Sequence, residues 1–470
     1  MTAALADGLA GRLLLRGDPR YEQARVGRIF NARRPDRFPA AVLLAASESD
    51  VISGVRLAAE RGWTVSVRSG GHSWAAWSLR DDALLIDLGG LRDLAYEPAT
   101  GVVAARPAVQ GGLELAPFLA GRGRAFPGGH CASVGLGGYL LQGGQGWDGR
   151  ARGWACQSVV GVDVVLADGA LVRADASENP DLLWAARGAG PGFPGVVTRF
   201  YLQTYPAPGV MWHDTWTFGL DDTVDLLTWL QEALPALDRR VEPVVAATRL
   251  PDVPLHDGTV RPSGTVLLLH TTVMASCDEE ALALLAPLQG GPLAGRALGH
   301  VRGRTSVAEE NLAQTVQNPE GYRYAVDCTW TDAPARVLAP MLQALWSELE
   351  TEHSFSIWYG WAPRSRPSRP SRPDMAFSVE AEVYVATYVI YDEPADDERY
   401  AEWVHSRTAA LARAHGAGVY LGDTDFTRRQ DRFLSGEAYR RLCAVRAARD
   451  PSGRFASYLT SDPEGLNVHG

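Results

Sequence analysis

The sequence predicts an α+β fold in two domains, the second built on an antiparallel sheet covered by helices. Three features support this. Residues 39–205 alternate short strands and helices and are dense in glycine, without a regular strand–helix–strand repeat. From residue 206 glycine thins out and longer segments appear, some of helical and some of strand period. Residues 416–470 return to the earlier style, as a tail packing back on the first domain would. A chain of 470 residues also exceeds one compact core. The division read here is 1–205, 206–415 and 416–470.

In order along the chain, "PAAVLLAAS" reads as a strand. "SESDVISGVRLAAERG" reads as a helix, with Ser47 as its cap and Gly62 as its stop. "TVSVRSGG" is a strand ending in a glycine turn, and "ALLIDLGGL" and "GVVAARPAV" are strands with turn punctuation. "GGLELAPFLAGRG" reads as a short helix. "VVGVDVVLADGALVRAD" has the form of a hairpin turning at Asp168-Gly169. "NPDLLWAARGAGPG" is a capped helix followed by a glycine loop. In the second part, "DDTVDLLTWLQEALPAL" and "DEEALALLAPLQG" are helical in period, and "SGTVLLLHTTVMA" has strand character. "MAFSVEAEVYVATYVIYD" reads as one long strand. Its alternation puts Phe377, Val379, Ala381, Val383, Val385 and Val389 on an apolar face. Ser378, Glu380, Glu382, Tyr384 and Tyr388 take the other face, suited to roof a ligand. "RSRPSRPSRP" (364–373) reads as a surface loop. Trp358, Tyr359 and Trp361, with Trp330 and Trp346, are expected in the core rather than in a pocket.

Composition excludes several classes of function. A net charge of -10 argues against a nucleic-acid partner. The basic residues are all arginine. No apolar run reaches the roughly 18 residues that span a bilayer, and the first residues lack a signal-peptide pattern, so a cytoplasmic protein with no membrane partner is expected. The cysteines at 131, 156, 277, 328 and 443 include no C-x-x-C pair, so neither a disulfide framework nor a metal site is expected.

The chemistry concentrates in three glycine-rich stretches: "RSGGHS" (68–73), "GGHCASVGLGGYLLQGGQGW" (128–147) and "GAGPGFPGVVT" (188–198). Each can turn backbone N–H groups toward an anion, because glycine tolerates close approach and positive φ. A dinucleotide pyrophosphate is the expected ligand. A Rossmann domain does not fit. "GLGGYLLQGGQG" lacks a clean preceding strand, and Gly143, Gly144 and Gly146 would break the helix that should follow. His72 and Cys131 each sit within such a loop, and both are nucleophiles able to add to an electrophilic cofactor carbon.

The stretches "VRSGGHS", "GHCASVGLGGYLLQGGQGW", "VVGVDVVLADG", "NPDLLWAARGAGPGFPGVVTRF" and "YRRLCAVRAARDPSGRF", in this order, resemble the bacterial branch of the berberine-bridge-enzyme-like oxidases in the vanillyl-alcohol-oxidase superfamily. The resemblance implies a PCMH-type FAD-binding fold with FAD in the first domain. It implies attachment of the flavin 8α-methyl to His72 and of ring C6 to Cys131. Ser69, Gly70 and Gly71 would meet the pyrophosphate, and Arg68 and Ser73 would also bind the cofactor. Val134, Gly135, Gly137, Gly138, Gly143, Gly144, Gly146, Gly195 and Val196 would line the cofactor.

The chain departs from the family pattern at Tyr139, where a histidine is common, at Gln145, where an aromatic is common, and at Gly422, where the motif after Tyr420 carries asparagine. Candidates for the catalytic base are Tyr420, Glu382, Glu380, Tyr139 and His130. The expected activity is oxidation of an alcohol or phenolic group on a bulky, secondary-metabolite-like substrate by hydride transfer to flavin N5, with O2 reduced to hydrogen peroxide. The alternatives are an oligosaccharide oxidase, an oxygenase with flavin on His72 alone, and a flavin-binding protein without turnover.

Overall fold

The structure is a computed structural model that describes residues 9–250, 253–254, 260–261, 264–289, 291–362 and 372–460. All but the last two residues of the 364–373 tract lie outside the described residues. Three main sheets organise the chain. The first holds β1 (Arg12–Leu15), β2 (Ala41–Leu44), β3 (Val65–Arg68) and β4 (Leu84–Asp87), in the order β1-β2-β4-β3. β2 and β3 both run parallel to β4, and helix α1 (Glu48–Arg61) makes the crossover between them. α1 starts where Ser47 and Asp50 exchange side-chain-to-backbone hydrogen bonds, a reciprocal cap. It stops at Gly62, whose φ of +68° is the left-handed conformation glycine adopts freely. Val51, Val55 and Ala58 then bury against Leu43, Leu84 and Ile86.

The second sheet holds β5 (Leu94–Glu97), β6 (Val102–Ala105), β7 (Val159–Val165), β8 (Leu171–Asp175) and β9 (Val196–Gln203), all antiparallel, in the order β5-β6-β9-β7-β8. β7 and β8 are the expected hairpin, with Val165 opposite Leu171. Helices α2 (Leu136–Leu141) and α3 (Pro180–Ala186) pack here. "GGLELAPFLAGRG" folds as a π-type turn over Gly111–Leu115 followed by a helical turn, Ala116–Ala120. The residue expected to cap α3, Asn179, instead donates its side-chain amide to Arg173 O at 2.7 Å.

The third sheet has eight strands, all antiparallel: β10 (Val210–Gly219), β11 (Val241–Leu250), β12 (Gly264–Ala275), β13 (Gly299–Thr305), β14 (Arg323–Thr331), β15 (Phe355–Tyr359), β16 (Val383–Tyr391) and β17 (Gly416–Gly418). Their order is β13-β10-β12-β11-β15-β16-β14-β17. Helices α4 (Thr223–Ala233), α5 (Asp278–Leu285), α6 (Val307–Gln317), α7 (Ala335–Ser347), α8 (Asp397–His415) and α9 (Gly436–Arg449) follow in chain order. Leu226 and Leu230 of α4 and Leu338 and Leu342 of α7 cover one face through Val245, Leu267 and Leu269. The opposite face turns toward the first two sheets. Among the described residues no helix is long and apolar enough to cross a membrane.

The long strand expected over "MAFSVEAEVYVATYVIYD" begins only at Val383. Upstream, Ala376 N donates to Trp184 O and Phe377 N to Arg187 O, so this backbone bonds the end of α3 rather than a neighbouring strand. The Phe377 ring lies 4.1 Å from that of Trp154. Phe377, Val379 and Ala381 therefore share a core with Tyr384 and Tyr388, not with Val383 and Val385 as alternation implied. Alternation does hold inside β16. Val383 and Val385 join the helix-covered core, while Tyr384 and Tyr388 face the other side.

The tail reaches back to the first sheet. Val65 N donates to Arg454 O at 2.7 Å, Arg449 pairs with both oxygens of Asp181, and Tyr458 donates to Ala189 O at 2.6 Å.

At the C-terminal ends of β3 and β4, Arg68 and Asp87 form a buried ion pair at 2.6 Å. Arg68 also donates to the carbonyls of Ala24 and Arg25, and Arg28 reaches Asp87 from the side. Removing one partner of such a pair strands a buried charge. Asp87→Ala is expected to cost about 3–5 kcal/mol of stability, read by chemical denaturation, whereas an exposed pair such as Arg407–Glu348 should cost about 1 kcal/mol or less.

Candidate cofactor and substrate cavity

A cavity of about 550 Å³ opens between the two smaller sheets and the uncovered face of the large one. Its floor is built by two loops, one following β3 and one leading into α2. They cross at Gly70 and Gly135. A Cβ on Gly70 would lie 2.6 Å from Gly135 N, and one on Gly135 would lie 2.8 Å from Gly70 Cα. Only residues without side chains bring these backbones so close. Gly71 is bound more tightly still: its φ is +85°, and a Cβ there would sit 1.7 Å from Arg28 O. Ser69 Oγ accepts from Gly138 N at 3.3 Å, which ties the loops a second time. Gly138 itself lines the cavity, and a Cβ built on it meets nothing within 4 Å. A side chain at 138 would project into the space that a ligand needs.

His72 and Cys131, one from each loop, line this same cavity. The His72 ring stacks on Phe30 at 4.5 Å, and its Nε2 is 3.1 Å from Ser133 Oγ. These contacts fix the ring on one face and one edge. Burial lowers the imidazole to about 4, so it is neutral and has a free lone pair at neutral pH. Burial also pushes the Cys131 thiol up to about 12, with the Asp423 carboxylate adding to the shift. Before anything else enters the cavity, that sulfur is therefore a thiol and a poor nucleophile.

Of the other expected cofactor residues, Arg68, Ser69, Ser73, Val134, Gly135, Gly137 and Gly195 line the cavity as well. Gly143, Gly144, Gly146 and Val196 do not. Gly143 is closed in by Phe377 and Trp154, and Gly144 and Gly146 by the Tyr139 ring and its hydroxyl. Val196 is buried in the core of the first sheet, and its neighbour Val197 takes the lining position. Gln145, between those glycines, does reach the wall, and its Nε2 is buried without a hydrogen-bond partner. Such an orphaned donor is what a polar ligand would satisfy.

Among the expected bases, Tyr420, Tyr139 and His130 line the cavity. Glu380 and Glu382 do not, because the chain around them is not the roofing strand that alternation implied. Glu380 Oε2 accepts from Trp154 Nε1 at 2.9 Å and Trp361 Nε1 at 2.8 Å, while Arg372 holds Oε1. Glu382 is tied through its backbone to Asp332 and Ala362. Tyr139 donates to Pro127 O at 2.8 Å, and burial raises it well above its ordinary value, so it keeps its proton. His130 packs edge-on to Trp147 and is lowered to about 4 by burial and the nearby His270.

Tyr420 differs from these. Burial and the Asp423 carboxylate raise its phenol, but the backbone N–H groups of Gln145 and Gly144 act on the hydroxyl in the opposite sense. Its ring folds over Gly422, where a Cβ would lie 2.4 Å from the ring. The glycine that departs from the family pattern is thus what admits this ring position.

Several wall residues were not singled out from the sequence. Asp423 is half-buried and accepts from Tyr384 at 2.6 Å, Tyr388 at 2.8 Å and Trp74 Nε1 at 2.9 Å; desolvation raises its carboxyl nonetheless. Glu242 on β11 accepts from Tyr359 and from the backbone N–H groups of Asp148 and Arg150, and burial raises it too. His270 on β12 and Glu310 on α6 complete the polar wall. The available signal was a Glu and a His set singly in the otherwise apolar stretches "VEPVV" and "TVLLLHTTV".

Residues 39–175 match the family described as FAD binding domain. The FAD-linked oxidoreductase nodO of Hypoxylon pulicicidum is 34% identical over 442 residues, covering 94% of this chain and 95% of that protein. The crystal structure of 6-hydroxy-D-nicotine oxidase from Arthrobacter nicotinovorans superposes with a TM-score of 0.80 over 97% of this chain and 98% of its own, at 24% identity. BBE-like 1 of Physcomitrella patens gives 0.80 over the same shares at 18% identity. The placement in a bacterial branch is not supported, since a fungal protein is 34% identical over nearly the full length. The FAD implied by these likenesses fits the chain's own features: the crossed glycine loops, the open space at Gly138 and the orphaned Gln145 amide. On this likeness the chain belongs to the FAD-linked oxidoreductases.

Proposed function

We propose that the protein is an oxidase carrying FAD bound at both His72 and Cys131, and that it oxidises an alcohol or phenolic group of a bulky substrate with O2 as acceptor. Residues 1–205 hold the cofactor, 206–415 supply the substrate wall, and 416–470 close the site with Tyr420. One observation carries the reading: a histidine and a cysteine from two separate loops converge on one cavity. FAD held by these loops would supply a hydride acceptor and a route for the electrons to O2.

The chain's own residues do the rest. Ser69, Gly70, Gly71 and Gly135 offer backbone at close range to the pyrophosphate side, and Gly138 leaves room for the group. A neutral His72, stacked on Phe30, presents its lone pair in one orientation. Two attachments would retain the cofactor without enclosing it, leaving space for a large donor. The substrate hydroxyl faces Tyr420, the proton acceptor. The Gly144 and Gln145 amides favour its phenolate, against burial and the Asp423 carboxylate. Val244, Ala246 and Ile357 of the sheet give the wall an apolar stretch on which a flat or lipophilic substrate body rests.

Gly138→Ala should fold with a thermal midpoint close to that of the parent yet carry little flavin, read by absorbance per chain. Tyr420→Phe should keep its flavin but lose about 10²–10⁴-fold in kcat. Because the phenol lies above its ordinary value, activity of the parent should rise with pH through the alkaline range as it ionises, and Tyr420→Phe should lose that rise. Substrate alcohols should bleach the flavin anaerobically, and in air peroxide should equal the O2 consumed. Oxygen uptake without peroxide would contradict the oxidase reading, and absence of bleaching by any alcohol or phenol would contradict turnover itself.

A further inference from the structure

We propose that His213, His270 and Glu310 form a divalent-cation site in the substrate-side wall of the cavity, of the kind zinc occupies. The inference goes beyond the cofactor reading and does not rest on it. The three side chains come from β10, β12 and α6. Their placement follows from the sheet. His213 pairs with Thr272 and Thr215 with His270, so the two histidines are diagonal neighbours on one face of adjacent strands. Glu310, one turn into α6, descends between them.

The ligand atoms converge. His213 Nδ1 and His270 Nε2 each lie 3.1 Å from a separate oxygen of Glu310, and all the candidate ligand atoms are within 4.8 Å of one another. Tetrahedral zinc with bonds near 2.0–2.2 Å requires ligand atoms roughly 3.4 Å apart, and each histidine nitrogen already lies near that spacing from one oxygen of Glu310. The outer contacts suit metal ligands too. Thr215 Oγ1 is 2.8 Å from His270 Nδ1, the ring nitrogen facing away from the site, and Thr305 Oγ1 donates to Glu310 at 2.7 Å.

Charge supports the same assignment. Glu310 is 4% exposed, and its ion-pair partners among the described residues are these two imidazoles. A divalent cation held by the two imidazoles would balance this buried carboxylate. Two imidazoles and a carboxylate are the donor set that zinc accepts. His270 and Glu310 also line the cavity, so the remaining coordination position opens toward it, where a water or a substrate oxygen would bind. The sequence did not suggest this site because its ligands are dispersed and none is a cysteine.

The test uses the purified flavin-loaded protein, treated with chelator, exchanged into metal-free buffer and titrated with zinc chloride alone. Calorimetry and elemental analysis should give one zinc per chain with micromolar or tighter affinity, and zinc should raise the thermal midpoint. His213→Ala and Glu310→Gln should each bind at least about tenfold more weakly. His213 is partly exposed, so its replacement is expected to leave the flavin spectrum and the zinc-free midpoint unchanged. His300→Ala, which removes a partly exposed histidine paired with Asp214, should bind like the parent. Substoichiometric or far weaker binding by the parent would overturn the proposal. So would undiminished binding by His213→Ala, or loss of binding in His300→Ala.

Discussion

The arrangement depends on one steric constraint: two loops pass each other at Gly70 and Gly135 with no room for a Cβ on either. That contact sets the floor of the cavity. It joins the loop that follows β3 to the loop that enters α2, and so brings His72 and Cys131 into one space. The buried Arg68–Asp87 pair just below fixes the end of β3 from which the first loop departs. Gly71, pressed on the Arg28 carbonyl, leaves that loop a single course. The large sheet and the returning tail then close over a floor whose geometry is already set.

Burial gives the site its electrostatic character. It lowers His72 and His130 to about 4 and raises Cys131 to about 12, so all three are neutral near pH 7. The carboxylates of Asp423 and Glu242 accept from phenols, an indole or backbone amides, and that of Glu310 lies against two imidazoles. The chain thus places its polar wall on the tail and the large sheet, opposite the glycine loops. A donor molecule held between them would meet hydrogen-bond acceptors on the side away from the cofactor.

Much of this was legible in the sequence. Ser47 and Gly62 mark the ends of α1, and Asp168-Gly169 turns the β7–β8 hairpin, because caps and tight turns are local chemistry. The glycine loops were legible because backbones that cross with no room for a Cβ demand glycine within a short stretch. The segment from Phe377 to Glu382 was misread. Its alternation is real, but its backbone bonds to the residues at the end of α3, a tertiary preference that period alone does not reveal. The position of Glu380 among tryptophans follows from that. Asp423, Glu242 and the His213–His270–Glu310 cluster were missed for a related reason: each is assembled from residues far apart in the chain. Trp74, for its part, donates to Asp423, and Trp77 packs edge-on to Phe426.

The central claim is that one cavity presents two covalent anchors for a single flavin. Peptide mapping by mass spectrometry of the denatured, proteolysed holoprotein tests it most directly. The account predicts one flavin-bearing species in which the peptide containing His72 is linked through the flavin to the peptide containing Cys131. Flavin found on the His72 peptide alone, with Cys131 recovered as a free thiol, would contradict it.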